Sequence, residues 1–216
     1  MVVQAEQMVS IIGAGYFQPV ADLVGKLLRY PPTRRNAVKA NYYDNIYSVS
    51  IILLLVAVVE SYASRLRFFY PSSHSQRRFS VPESIKGTFK DFHLAKALSE
   101  VFVLRDAIFH NHLWTINFSW RPMSLQSAAI DSSSGDEKFK KIVNLKTRRT
   151  RSLRLHIVPT RVDRRDVLKV FDTVLKTLLF LERKDRNYCY VSDQNVSFRG
   201  KTHRFSEVRD TLANAQ

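Results

Sequence analysis

Arg105, Asp106, His110 and His112 place four ionisable groups within eight residues of a stretch, 104–114, that is otherwise mostly apolar. An imidazole takes up or releases a proton near neutral pH. A guanidinium stays charged and offers a rigid fork of donors to an anion. Together they are the parts of a site that moves a proton beside a negatively charged group.

The surrounding run, 92–118, holds no proline and no glycine, and Leu94, Leu98, Val101 and Ile108 recur at helical spacing. This predicts one long helix. Arg105 and His112 fall on its apolar stripe, within roughly 20° of each other. Burying an unpaired arginine is costly, so Arg105 wants a partner, a cleft or a subunit interface. Asp106 and His110 form an i,i+4 pair on a neighbouring face, where the carboxylate can orient the ring.

Arg105-Asp106-Ala107-Ile108-Phe109-His110 has the form R-[N/D/H]-x-x-x-H on a helix preceded by a long apolar helix. The chain therefore resembles the HEPN family of small all-helical domains over residues 36–183. Many members of that family are ribonucleases of toxin–antitoxin, antiviral-defence and CRISPR-linked systems. The resemblance implies a metal-independent endoribonuclease with Arg105 and His110 as catalytic residues and Asp106 in the polar second position. Arg105 and His112 also satisfy the family's longer R-x6-H spacing. Motif form favours His110 and the helical face favours His112. In the implied reaction an imidazole deprotonates the ribose 2′-OH while Arg105 meets the charge on the phosphoryl oxygens. DNA lacks that hydroxyl, so the substrate is RNA. Relatives build such sites at a homodimer interface. On one ideal helix Arg105 and His110 diverge by about 140°, so a second copy is expected here too. No cofactor is called for.

Other uses of the same letters stay open. Arg105 and Asp106 also suit an ordinary ion pair, with His110 a hydrogen-bonded core histidine. Asp106, His110 and His112 are of metal-ligating type, but no further acid or histidine is placed to complete a set, so no metal is expected. A non-catalytic HEPN-like module binding RNA or protein is a further reading. So is a partner of a nucleotidyltransferase, or of an antitoxin or defence-system protein.

The net charge of +15 favours polyanions. Residues 138–165 carry eleven Lys and Arg against one acid, Asp163. Lys138, Lys140, Lys141, Lys146, Arg148, Arg149, Arg151 and Arg154 are the candidate RNA-binding residues, by phosphate contact. Cys189, the single cysteine, excludes an intrachain disulfide. The first ten residues lack the basic start and cleavage site of a signal peptide, so a cytoplasmic protein is expected. The apolar run 51–59 reads as a core helix too short and too closely bracketed by Asp44 and Glu60 to span a bilayer, and no membrane partner is expected.

These residues imply a mainly all-α protein of a single domain, 1–216: a HEPN-like helical bundle with a small irregular or β-hairpin C-terminal appendage. A helical segment over 1–30 ends at Tyr30-Pro31-Pro32, and its Gly13-Ala14-Gly15 lacks the third glycine of a dinucleotide loop. A long helix follows from near Asn36, or from an Asp44 cap, to Phe69. Residues 71–82 read as a loop and 123–136 as the most flexible stretch. A helix over 167–181, capped by Asp163 or Asp166, turns Val170, Val174, Leu178 and Leu181 inward. The appendage, 187–216, reads as a hairpin and a short helix near 205–212. His74, His93, His156 and His203 have no evident partner.

Overall fold

The computed structural model describes residues 12–35, 37–70, 80–109, 114–120, 123–129, 137–184 and 190–215, with backbone alone over 114–120, 123–129 and 137–138. The described chain opens with a 3-10 turn, Gly13–Tyr16, and helices α1 (Phe17–Leu27), α2 (Tyr42–Phe69), α3 (Val81–Thr88) and α4 (Ala95–Phe109). An antiparallel hairpin of β1 (Trp114–Trp120) and β2 (Met123–Ala129) follows. Then come α5 (Glu137–Ile142), the short pair β3 (Val143–Asn144) and β4 (Arg149–Thr150), and α6 (Arg164–Lys184). The hairpin of β5 (Asn195–Phe198) and β6 (Lys201–Arg204) leads into α7 (Phe205–Asn214). The protein is mainly helical.

The organising element is α2. Ile51, Ile52, Leu55, Val56, Val58 and Val59 are buried on it, against α1, α4, α6 and the 3-10 turn. By length and composition alone α2 could cross a bilayer, with a mean hydropathy of 2.0 over 18 residues. The apolar stretch is therefore longer than residues 51–59 suggest, and half of that window is buried inside the protein. Gly13 gives the turn its close approach: a Cβ there would lie 3.0 Å from the Ser61 Cβ and 3.1 Å from the Val58 carbonyl oxygen. Its N–H donates to Ser61 Oγ at 2.9 Å. Gly13 is thus required by packing, whereas a Cβ at Gly15 would meet nothing within 4 Å.

Asp44 is not a cap. It lies inside the first turn of α2, fully buried, and accepts from the Thr33 N–H at 2.7 Å and Thr33 Oγ1 at 2.6 Å. Arg164, at the start of α6, donates to the same carboxylate through its backbone N–H and Nε. Its Nη2 reaches the carbonyls of Leu27 and Tyr30. One buried ion pair thereby ties together the end of α1, the start of α2 and the start of α6. Both acids expected at the head of α6 are used: Asp163 Oδ1 accepts the Arg165 N–H and Asp166 Oδ2 accepts the Asp163 N–H, a reciprocal cap. Val170, Val174, Leu178 and Leu181 point inward as expected.

Three expectations need correction. The helix carrying Arg105 is described as far as Phe109 and does not run through residue 118: Trp114–Trp120 is a strand paired with Met123–Ala129, Trp114 opposite Ala129 and Trp120 opposite Met123. The alternation of Trp114, Ile116, Phe118 and Trp120 with Thr, Asn and Ser has period two and suits a strand. Residues 123–129, expected to be the most flexible, form its partner. Finally α3 was not foreseen, although Ser80 and Glu83 build a capping box ahead of it, with Ser80 N–H donating to Glu83 Oε2 at 3.1 Å.

The ends of the chain are less peripheral than the sequence suggests. Phe205 of α7 packs against Phe17 of α1 and Phe171 of α6, with ring centroids 4.4 and 4.8 Å apart. Arg199 and Gly200 both take positive φ, 51° and 78°, which matches the two-residue turn that closes β5 on β6.

Candidate functional site

Arg105 sits near the end of α4, about a quarter exposed, and its partner is on α2. Nη2 donates to Glu60 Oε1 at 2.9 Å. Nε lies 3.1 Å from Asp106 Oδ1, close enough for an ion pair but too poorly aligned for a hydrogen bond. The guanidinium also lies 5.3 Å from the Phe102 ring centroid. The arginine on the apolar stripe has thus found an acid, and Glu60 is the member of the site that spacing alone did not reveal. Glu60 in turn lines a groove of about 490 Å³ with Tyr16, Ala57, Ser61, Ser64 and Phe68. His110 and His112 lie outside the described residues. The angles between Arg105 and the two histidines therefore fall outside the description. Asp106 is turned toward Arg105.

The candidate RNA-binding residues gather on the other side of the helix. Glu100 of α4 is buried and accepts from the N–H groups of Ser152 and Leu153 at 2.8 and 2.7 Å. Val103 packs with Val143 and Ile157 in a small second core. Glu100 and Val103 lie roughly 140° and 160° from Arg105 around α4. The basic segment and Arg105 therefore lie on opposite faces of one helix.

On that face Lys140, Lys141, Lys146, Arg151 and Arg154 are exposed and Arg148 and Arg149 half-buried, while the Lys138 side chain falls outside the description. Arg149 Nη1 donates to the Arg154 carbonyl at 3.1 Å, and Arg151 Nε to the Lys141 carbonyl at 2.9 Å. Arg148 and Arg154 hold φ of 53° and 58°, a region that costs a side chain on the order of 1 kcal/mol and usually goes to glycine or asparagine. Two further cations join them. Burial lowers the pKa of Arg161, and Arg148 and Arg149 beside it lower it further. Burial is also the main cause that lowers Lys169, with Arg149 adding repulsion against the pull of Asp166. Arg161 lies in the basic run and was legible as charge; Lys169 is carried in by α6. Two other cations of the run are spent inside the protein, Arg164 on Asp44 and Arg165 on Asp163.

Among the described residues no three His, Cys, Asp or Glu side chains converge as a metal site would require. Two histidines do have partners: His156 Nδ1 lies 2.8 Å from Asp166 Oδ2, and His203 Nδ1 lies 3.0 Å from Glu207 Oε2. A cleft of about 700 Å³ at the other end of α4, lined by His93, Lys176, Glu182 and Arg183, is separate from both groups. No protein-family model, curated protein or solved structure matches the chain.

The Glu100 clamp leads to a prediction that separates placement of charge from amount of charge. Glu100→Ala adds one positive charge to the protein, which by simple electrostatics strengthens polyanion binding. It also frees the 151–153 backbone, so affinity for RNA is expected to fall about tenfold, with a loss of about 1–3 kcal/mol of stability from the two unsatisfied donors. Fluorescence anisotropy and urea unfolding measure the two effects. Tighter binding by this variant would mean that only total charge matters.

Proposed function

We propose that this chain is an RNA-binding protein whose binding face is the cationic cluster of Arg148, Arg149, Arg154, Arg161 and Lys169 beside β3 and β4. The observation that carries this reading is the crowding of cations: Arg149 Nη1 and Lys169 Nζ donate to the same Arg154 carbonyl, at 3.1 and 3.4 Å. Burial first, with Arg148 and Arg149 second, lowers the pKa of Arg161, a cost that a bound polyanion offsets. The positive φ at Arg148 and Arg154 supports it, since backbone strain is accepted where an arginine is held. Binding should weaken steeply with salt. Replacing Arg148, Arg149 and Arg161, with glycine at 148 and alanine at the others, should cut the slope of log K against log salt by about 2 for single-stranded RNA, at roughly 0.7 per phosphate contact. Filter binding between about 50 and 200 mM salt measures it, and an unchanged slope would show the cluster to be solvated surface.

A second reading rests on Arg105. An arginine held by Asp106 and by Glu60, which itself lines a groove, with His110 next in sequence after the last described residue of α4, supports a metal-independent HEPN-type endoribonuclease. His112 is its alternative histidine. This reading carries with it a homodimer, a cytoplasmic location, and an antitoxin or defence-system partner. Incubating the protein with total RNA in EDTA, beside an Arg105→Ala control, tests it. A non-catalytic RNA-binding module predicts intact RNA in both tubes.

A further inference from the structure

We infer that Tyr30, Tyr42, Tyr43 and Tyr47 form a base-stacking platform for single-stranded RNA, continuous with the cationic cluster around Arg148 and Arg161; this rests on the RNA-binding reading and specifies its substrate. The rings of Tyr30 and Tyr43 stack at 4.2 Å between centroids with planes 16° apart. Tyr47 lies nearly parallel to both, 5.8 Å from Tyr30 and 6.4 Å from Tyr43. Tyr42 meets Tyr43 edge-on at 5.2 Å. A single exposed aromatic ring is ordinary. Four in contact, with Tyr42 72% and Tyr43 45% exposed, leave apolar surface in water that folding alone does not account for.

The frame beneath the rings is rigid. The Tyr30 carbonyl is held by Arg164 Nη2 at 2.8 Å, and Arg164 is locked to the buried Asp44. Asn41 donates from its backbone N–H to Thr33 Oγ1 at 3.0 Å. Its Nδ2 reaches the carbonyls of Pro31 and Pro32. Rings fixed in advance lose little freedom when a base stacks on them.

Charge selects the partner. Arg34, Arg35 and Lys39 are exposed on the loop between Tyr30 and Tyr42, and their side chains make no hydrogen bond or ion pair among the described residues. The one acid in this turn, Asp44, is buried and already neutralised by Arg164. The loop is fastened to the segment that leads to the cationic cluster: the Ala40 N–H donates to the Thr160 carbonyl at 2.9 Å, and Arg161 Nε to the Val38 carbonyl at 2.7 Å. Arg161 is itself next to Arg148 and Arg149. Aromatic faces and a cationic track on one continuous surface are what an unpaired strand engages, with bases on the rings and phosphates along the arginines. A duplex keeps its bases stacked inside and offers the rings nothing.

The test compares a 12-nucleotide single-stranded RNA with a perfect RNA duplex, each binding the full chain. Tyr42→Ala with Tyr43→Ala should weaken single-strand binding by about tenfold for each ring, leave the salt slope unchanged and leave duplex binding unchanged. Tyr42→Phe with Tyr43→Phe should bind like the wild type, because the ring face is what is used. Wild-type affinity in the double alanine variant overturns the platform while the reading of the cationic cluster stands, provided the Arg148, Arg149 and Arg161 variant has lost slope. Equal loss on single strand and duplex also overturns it. A wild type that binds neither RNA at low salt overturns the RNA reading itself.

Discussion

Asp44→Ala is expected to lower the free energy of unfolding by about 3–5 kcal/mol, the cost of leaving a buried charge without its partner. Against a typical domain stability of roughly 5–15 kcal/mol this is a large share. The size follows from burial and from the number of groups orphaned together. Arg164 is 3% exposed and Asp44 not at all. Removing the carboxylate strands the Arg164 guanidinium, its backbone N–H, the Thr33 N–H and the Thr33 hydroxyl in one place. Arg164→Ala should cost a similar amount. Combining Asp44→Ala with Arg164→Met should cost less than either single change implies, since an apolar replacement of a whole buried pair is often neutral. Recovery stays incomplete because Arg164 also satisfies the Leu27 and Tyr30 carbonyls. Urea unfolding with an unchanged m-value reads the effect directly. A loss below about 1 kcal/mol would mean that water reaches the pair, as it does for surface ion pairs.

That pair also marks the limit of what could be read from the letters. Asp44 and Arg164 are 120 residues apart, and nothing local to either announces the other. The unbroken apolar run 51–59 did reveal α2, and the apolar stripe of Val170, Val174, Leu178 and Leu181 revealed α6. The C-terminal hairpin and α7 were legible from the turn at Arg199-Gly200 and the apolar spacing of Phe205, Val208 and Leu212. The end of α4 was not. A stretch without proline or glycine reads as unbroken helix, yet residues 114–120 alternate with period two and find a partner in 123–129 across Arg121-Pro122. Pairing with a second strand is a tertiary event that outranks the local preference. The tyrosine cluster escaped notice for the same reason: Tyr30 is on a loop and Tyr43 on a helix, and only the fold stacks them.

The separation of the two candidate regions has a consequence for any catalytic reading. RNA lying along the cationic cluster of one copy is on the far side of α4 from that copy's Arg105, with Glu100 and Val103 between. A strand must bend around the helix end, or present its phosphate to a second molecule.

If the protein cuts RNA, Arg105→Ala should slow cleavage by about a hundredfold to a thousandfold, the usual effect of removing a group that meets transition-state charge. Arg105→Lys should be as inactive, because a point charge cannot bind Glu60 and a phosphoryl oxygen at once through a planar fork. His110→Ala should also abolish cleavage, by about a hundredfold or more. In the proposed step the imidazole removes the 2′-OH proton and that oxygen attacks the adjacent phosphorus. The P–O5′ bond then breaks, leaving a 2′,3′-cyclic phosphate and a 5′-hydroxyl that gains a proton. Mass spectrometry of the products identifies both ends, and EDTA should leave the rate unchanged. Loss with His112→Ala but not His110→Ala would move the role to the longer spacing. Whether Arg105 and His110 come from one copy or two is decided by mixing the Arg105→Ala and His110→Ala proteins. With a site shared across a two-fold axis, the mixed dimer keeps one intact pair, and random exchange restores about a quarter of wild-type activity. With both residues supplied by one chain, the mixture stays as inactive as its parts. A wild type that leaves total RNA intact, or an Arg105→Ala protein that still cuts it, ends the catalytic reading and leaves the binding surface as the function.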